Sequence, residues 1–273
     1  YFYSFNKVVY INNFTIMKKY GILIIGFLTS VIFFSSCFKK GENDPFVSIR
    51  SRKARVVADW KIQEKTSLLT KVLDEGVTAK IDFQLQGNSV SEEVDSINTA
   101  DDTLRVRNGE VIEAYYNFDK DGNMDYMLHY KLVDDSSGTD PNTDWLTQRT
   151  ITTEYRIRAS GTWNFLKGID DYKNKERLAL VFVFINEQIT VFTKRAVYNE
   201  NNEQESLYTN NSHNDTENKY ANGEYAEVWE IDQLKNKEII LTREIDELQN
   251  YATDSTSFKL TIKGPEMQKL TRE

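Results

Sequence analysis

The sequence predicts an all-β protein, an antiparallel up-and-down meander, and three observations carry that prediction. Apolar and polar residues alternate over several runs, the period of a strand with one buried face. Asn-Gly and Asp-Gly dipeptides fall between consecutive runs, and both favour hairpin turns. All three prolines, Pro45, Pro141 and Pro265, stand outside the alternating runs, as the missing N–H of proline requires in a central strand. Short strands at this spacing suggest a sandwich or an up-and-down barrel.

Taken in order, residues 104–107 lead into Asn108-Gly109, a predicted turn, and then into 112–118 with Ile112, Ala114, Tyr116 and Phe118 on one face. Asp121-Gly122 is the next predicted turn, followed by Met124, Tyr126, Leu128, Tyr130 and Leu132. Tyr155, Ile157, Ala159, Gly161, Trp163 and Phe165 form a longer ladder opposite Glu154, Arg156, Arg158 and Asn164. The run 178–185 is continuously apolar, so it is either a strand buried on both faces or a packed helix. A polar turn at 234–238 separates 228–231 from 239–241, and Phe258, Leu260 and Ile262 make the last alternation. Residues 133–148 and 199–223 are polar, and their low hydrophobicity predicts mobile insertions.

The N-terminal part has a different character. Met17-Lys18-Lys19 carries positive charge, 22–34 is an apolar run of 13 residues, and Ser35 and Ser36 lead to Cys37, the only cysteine. A membrane span needs about 20 apolar residues, whereas a short apolar run between positive charge and small residues is a secretory signal. This segment resembles the lipobox of bacterial lipoprotein precursors, with Phe34 where that pattern prefers leucine. The resemblance implies cleavage before Cys37, acylation of its thiol and attachment to the cell envelope, most simply the outer membrane of a Gram-negative bacterium. Residues 1–16 then read as upstream translation, 17–36 as the signal peptide, 37–52 as the lipidated cysteine and a polar tether, 53–265 as the β-domain and 266–273 as a C-terminal tail.

Residues 1–36 hold three lysines and no acid, so the other 237 residues carry a formal charge of −11, against −8 for the whole chain. Nucleic-acid binding needs clustered cations to displace counterions from phosphates, and an acidic balance argues against it.

A second resemblance rests on 42–62, with Asp44-Pro45-Phe46, the basic stretch Arg50 to Arg55, and Ala58-Asp59-Trp60. It is similar to the start of lipocalin-like domains in bacterial lipoproteins, whose first strand opens with Gly-x-Trp; Ala58 stands at the glycine. Gly161-Thr162-Trp163 repeats the pattern, followed by Tyr172-Lys173-Asn174-Lys175-Glu176-Arg177. The resemblance implies a closed antiparallel lipocalin-like barrel, with Trp60 and Trp163 as barrel-closing aromatics.

Candidate chemistry is sparse. Asp119, Asp121, Asn123 and Asp125 surround Gly122 in the manner of the oxygen donors of a Ca²⁺ loop, but Tyr130 stands where such a loop needs its distal glutamate, and a hairpin turn explains the same residues. His129 and His213 are the only histidines, and there is no Gly-x-Ser-x-Gly turn and no zinc-ligand spacing. No metal, cofactor or catalytic residue is therefore predicted, and acidic pairs such as Asp134-Asp135 read as solvated charge. Tyr115, Tyr116, Tyr126, Tyr130, Tyr155, Trp163 and Phe165 cluster on adjacent predicted strands. They line either a pocket for a small apolar molecule or a filled core, since a small barrel permits both. The expectation is a non-enzymatic, lipid-anchored barrel that binds a small apolar molecule or an envelope protein. The alternative is a structural component of an envelope complex with no ligand cavity.

Overall fold

The computed structural model describes residues 51–73, 78–97, 103–140, 143–166, 176–221, 223–252 and 257–272. All belong to the second of two compact units, 41–273. The predicted signal peptide and Cys37 lie outside the described residues.

A short helix, α1 (Arg52–Val56), comes first. The Ser51 hydroxyl accepts the N–H of Ala54 at 3.2 Å, satisfying one of the donors a helix start leaves open. Eleven strands follow: β1 (Ala58–Leu73), β2 (Thr78–Gln86), β3 (Ser89–Ile97), β4 (Thr103–Phe118), β5 (Asn123–Thr139), β6 (Leu146–Leu166), β7 (Arg177–Tyr198), β8 (Gln204–Lys219), β9 (Tyr225–Leu234), β10 (Glu238–Ala252) and β11 (Ser257–Thr271). They form one antiparallel sheet in which β1 also pairs with β4, and β6 with β7.

These pairings close a ring. Ala58 to Lys61 of β1 pair with Phe118 to Tyr115 of β4, so that β1, β4, β5, β6, β7, β9, β10 and β11 form an eight-strand circuit. Eight strands enclose a space that side chains can fill or that holds one small ligand. The β2–β3 hairpin is inserted between β1 and β4 away from this junction. Strands β8 and β9 serve in succession as partners of β7, with Phe184 opposite Lys219 and Phe182 opposite Tyr225. Strand β10 meets β9 only through 239–242. Beyond that point no pairing joins β8 to β10 among the described residues.

Glycines stand where neighbouring backbone approaches closely, as at Gly109 and Gly161. A Cβ on Gly109 would lie 1.7 Å from the carbonyl oxygen of Lys131, and one on Gly161 would lie 2.1 Å from that of Val181. No side chain fits so near a neighbouring backbone, and glycine in a strand interior marks such an approach. Asn108-Gly109 is thus not a turn: both residues lie inside β4 and pair with β5. Asp121-Gly122 does turn the chain from β4 to β5, with Gly122 at φ +94.

Three other expectations are corrected. Residues 133–139 and 146–148, expected in a mobile insertion, extend β5 and β6 and pair with each other. Residues 204–219, expected in another, form β8; they show no alternation because neither face is buried. The expected tail 266–273 belongs to β11 as far as Thr271, held by Glu266, Gln268 and Leu270, which all point into the barrel and are buried. The continuously apolar run 178–185 is part of strand β7, not a helix.

Candidate functional site

Apolar side chains from α1 and the strands form a buried core cluster. Trp60, Ile62, Phe118, Met124, Leu178, Leu234, Ile239, Leu241 and Leu270 are almost wholly buried there. Helix α1 contributes Val56 to this core, and its Arg55 donates to the carbonyl oxygen of Leu234 at 2.5 Å. The indole N–H of Trp60 donates to the carbonyl oxygen of Val56 at 2.7 Å, so the tryptophan joins helix and strand. Trp163 is also buried. It meets Phe118 edge-on at 5.6 Å, donates its indole N–H to the carbonyl oxygen of Asp119 at 3.2 Å, and has the ammonium of Lys53 5.7 Å from its ring.

Farther along the barrel the inward positions become ionic. Arg243 of β10 bonds Glu266 of β11 at 2.6 Å and Glu227 of β9 at 3.0 Å. Lys65 of β1 also pairs with Glu266. The guanidinium of Arg243 lies 4.5 Å from the ring centroid of fully buried Trp229, whose indole N–H donates to Glu227 at 3.0 Å. Burial disfavours ionised Glu266, yet the adjacent charges of Lys65 and Arg243 outweigh it and hold its pKa below the usual carboxylate value. Burial likewise opposes the charge on Arg243, and its two carboxylates more than compensate. Two cations and two anions make a neutral cluster, as buried charges require.

Tyrosines surround this cluster. Burial raises the pKa of Tyr116 and Tyr126 well above the ordinary phenol value, and the carboxylates Glu227 and Glu266 add to the effect. Tyr116 and Tyr126 stand 4.7 Å apart across β4 and β5. Tyr130 stacks on Tyr155 at 4.9 Å. The Tyr155 hydroxyl receives a hydrogen bond from Arg107 at 3.3 Å, and Arg107 also pairs with Glu92.

A concavity of about 690 Å³ lies where β9 and β10 part, lined by Leu68, Val228, Thr242, Glu244 and Met267 and reaching Arg243 and Glu266. Another, of about 810 Å³, lies over β4, β5 and β6 and includes Tyr115, Met127, Arg158 and Phe184.

The other residues weighed in the sequence have local partners. Asp119 accepts the backbone N–H groups of Asp121 and Asn123 and the Asn123 amide, all within 2.8 Å, so its carboxylate organises the turn. His129 Nε2 is 2.6 Å from Glu154, and that hydrogen bond lowers the pKa of Glu154. Among the described residues, no group of three or more His, Cys, Asp or Glu side chains is arranged to hold a metal.

The structure brings Tyr116, Tyr126, Tyr130, Tyr155, Trp163 and Phe165 into one core, whereas Tyr115, next to Tyr116 in β4, lies on the opposite face beside Glu113 and Asn117. It adds Lys65, Glu227, Trp229, Arg243 and Glu266, which sequence reasoning missed. The available signal was a charged residue at an inward position of an alternating run, as Glu227 is beside Trp229. No protein-family model, curated protein or solved structure matches this chain.

Proposed function

We propose that this chain is a lipid-anchored protein of the bacterial cell envelope, attached to the outer membrane through Cys37, whose lipocalin-like barrel is a non-enzymatic binding module for a protein partner. The anchor is supported by the positively charged, apolar and small-residue succession that ends at Cys37. The nature of the partner is supported by one observation, the neutral ion cluster of Lys65, Arg243, Glu227 and Glu266 inside the barrel. An apolar molecule seated there would strip solvent and partners from charged groups, which is costly. Recognition therefore uses the outer wall and the opening beside β10, where the 690 Å³ concavity combines apolar Leu68, Val228 and Met267 with acidic Glu244.

The test is mild detergent extraction of the native protein, followed by native mass spectrometry and quantitative cross-linking. The account expects a stoichiometric envelope protein cross-linked through positions around Leu68 and Val228, and its loss when Glu244 is changed to Arg. A stoichiometric apolar small molecule released from an otherwise unpartnered chain would overturn it.

A further inference from the structure

Strand β8 is anomalous in this sheet. All sixteen of its residues are exposed on both faces. It pairs with β7 on one side, and no strand among the described residues pairs with its other edge. An open edge of this length is a template for another strand, and soluble proteins usually blunt one with proline, lysine or a bulge. Strand β8 contains no proline, its one lysine, Lys219, stands at its end, and its one irregularity in pairing with β7, at Glu205, lies at the other end and leaves 206–219 in regular register.

We infer that β8 is the interface of a homodimer, in which two copies pair antiparallel about a two-fold axis through Ser212. The occupant of the edge is specified by the strand's own charges. In an antiparallel two-fold pairing, residues equally distant from the axis face each other across the interface. With Ser212 on the axis, Glu205 of each copy faces Lys219 of the other. Asp215 faces Thr209, Glu217 faces Leu207, and Asn210 faces Asn214, so no two acids oppose each other. Moving the axis to Asn211 sets Glu205 against Glu217, and moving it to Asn210 sets Glu205 against Asp215. Opposite charges facing across strands stabilise a sheet and like charges destabilise it. Of the two-fold registers that use most of the strand, only that on Ser212 sets an acid against Lys219, and it opposes no two acids. Dimerisation turns the exposed edge into the centre of a continuous sheet. It is independent of the anchor and of the partner proposed above.

Sedimentation equilibrium of the full chain in detergent, with cysteine cross-linking, tests this. Wild type is expected to dimerise. Lys219→Glu and Glu205→Lys should each weaken the dimer on the order of tenfold, because each sets two like-charge pairs across the axis. The double variant, Glu205→Lys with Lys219→Glu, should restore wild-type affinity. Ser212→Cys should form an intermolecular disulfide, since directly opposed residues in such a pair have Cα atoms about 4.5–5.5 Å apart, within disulfide reach. Ser206→Cys should not, because its two copies would lie about 40 Å apart at ~3.4 Å per residue. A chain that stays monomeric at every concentration, a double variant as weak as the single ones, or equal cross-linking at both cysteine positions would overturn the dimer.

Discussion

The guanidinium of Arg243 lies 4.5 Å from the ring of Trp229 while bonding Glu266 and Glu227 on either side. This arrangement ties β9, β10 and β11 together inside the barrel, next to the point where β9 and β10 separate. Arg243→Ala would leave two buried carboxylates short of their cation, and breaking a buried pair in this way costs about 3–5 kcal/mol. Chemical denaturation should register that loss. Adding Glu227→Gln to Arg243→Ala should recover part of it, because one stranded charge is then removed.

Acid should weaken the same cluster. The folded pKa of Glu266 is depressed by Lys65 and Arg243 against the opposing effect of burial. The stability it contributes is therefore fully present above the unfolded value of about 4.3 and is lost as pH falls through the lower folded value. Wild type should exceed Glu266→Gln in unfolding free energy at neutral pH, with the gap closing below about pH 4. A gap of constant size across that range would show that Glu266 is not held ionised by its neighbours.

Gly161 and Gly109 should resist even a methyl group. In both, the added Cβ would strike backbone of the neighbouring strand, at 2.1 Å for Gly161 and 1.7 Å for Gly109, and backbone cannot rotate away as a side chain can. Gly161→Ala and Gly109→Ala are expected to lower stability by about 1–3 kcal/mol or more. Gly138→Ala, at a position with nothing within 4 Å, is the matched control and should leave the melting temperature nearly unchanged.

Trp60 can be dissected into volume and hydrogen bond. Trp60→Ala empties a fully buried site and should cost about 3–5 kcal/mol. Trp60→Phe keeps most of the apolar surface but leaves the carbonyl of Val56 without its indole donor. Its smaller loss should appear mainly as faster hydrogen exchange in α1.

Much of the fold was legible because one face of most strands is buried. From Met124 to Leu132, the residues assigned inward by alternation include Met124, Leu128, Tyr130 and Leu132, all of them buried. Ile112 illustrates the limit. A register shift between Val111 and Glu113 reverses the alternation, as one extra residue must, and leaves Ile112 46% exposed. Asn108-Gly109 carried the composition of a hairpin turn, yet its glycine is needed for close backbone approach, and composition does not separate the two uses. Strand β8 lacked any periodicity because both faces meet solvent. The ionic cluster was illegible for a different reason: Lys65, Glu227, Arg243 and Glu266 are far apart in sequence, and each alone resembles a surface charge. Pairing of β9, β10 and β11 in succession, and of β11 with β1, brings them together.

The proposed function tethers the barrel to the envelope through Cys37. Intact-mass and peptide mass spectrometry of the protein from its native membrane tests that claim directly. The account expects a mature N-terminus at Cys37, with a thioether-linked diacylglycerol on the sulfur and no peptide from residues 17–36. An unmodified Cys37 inside an uncleaved chain, recovered from the soluble fraction, would contradict it.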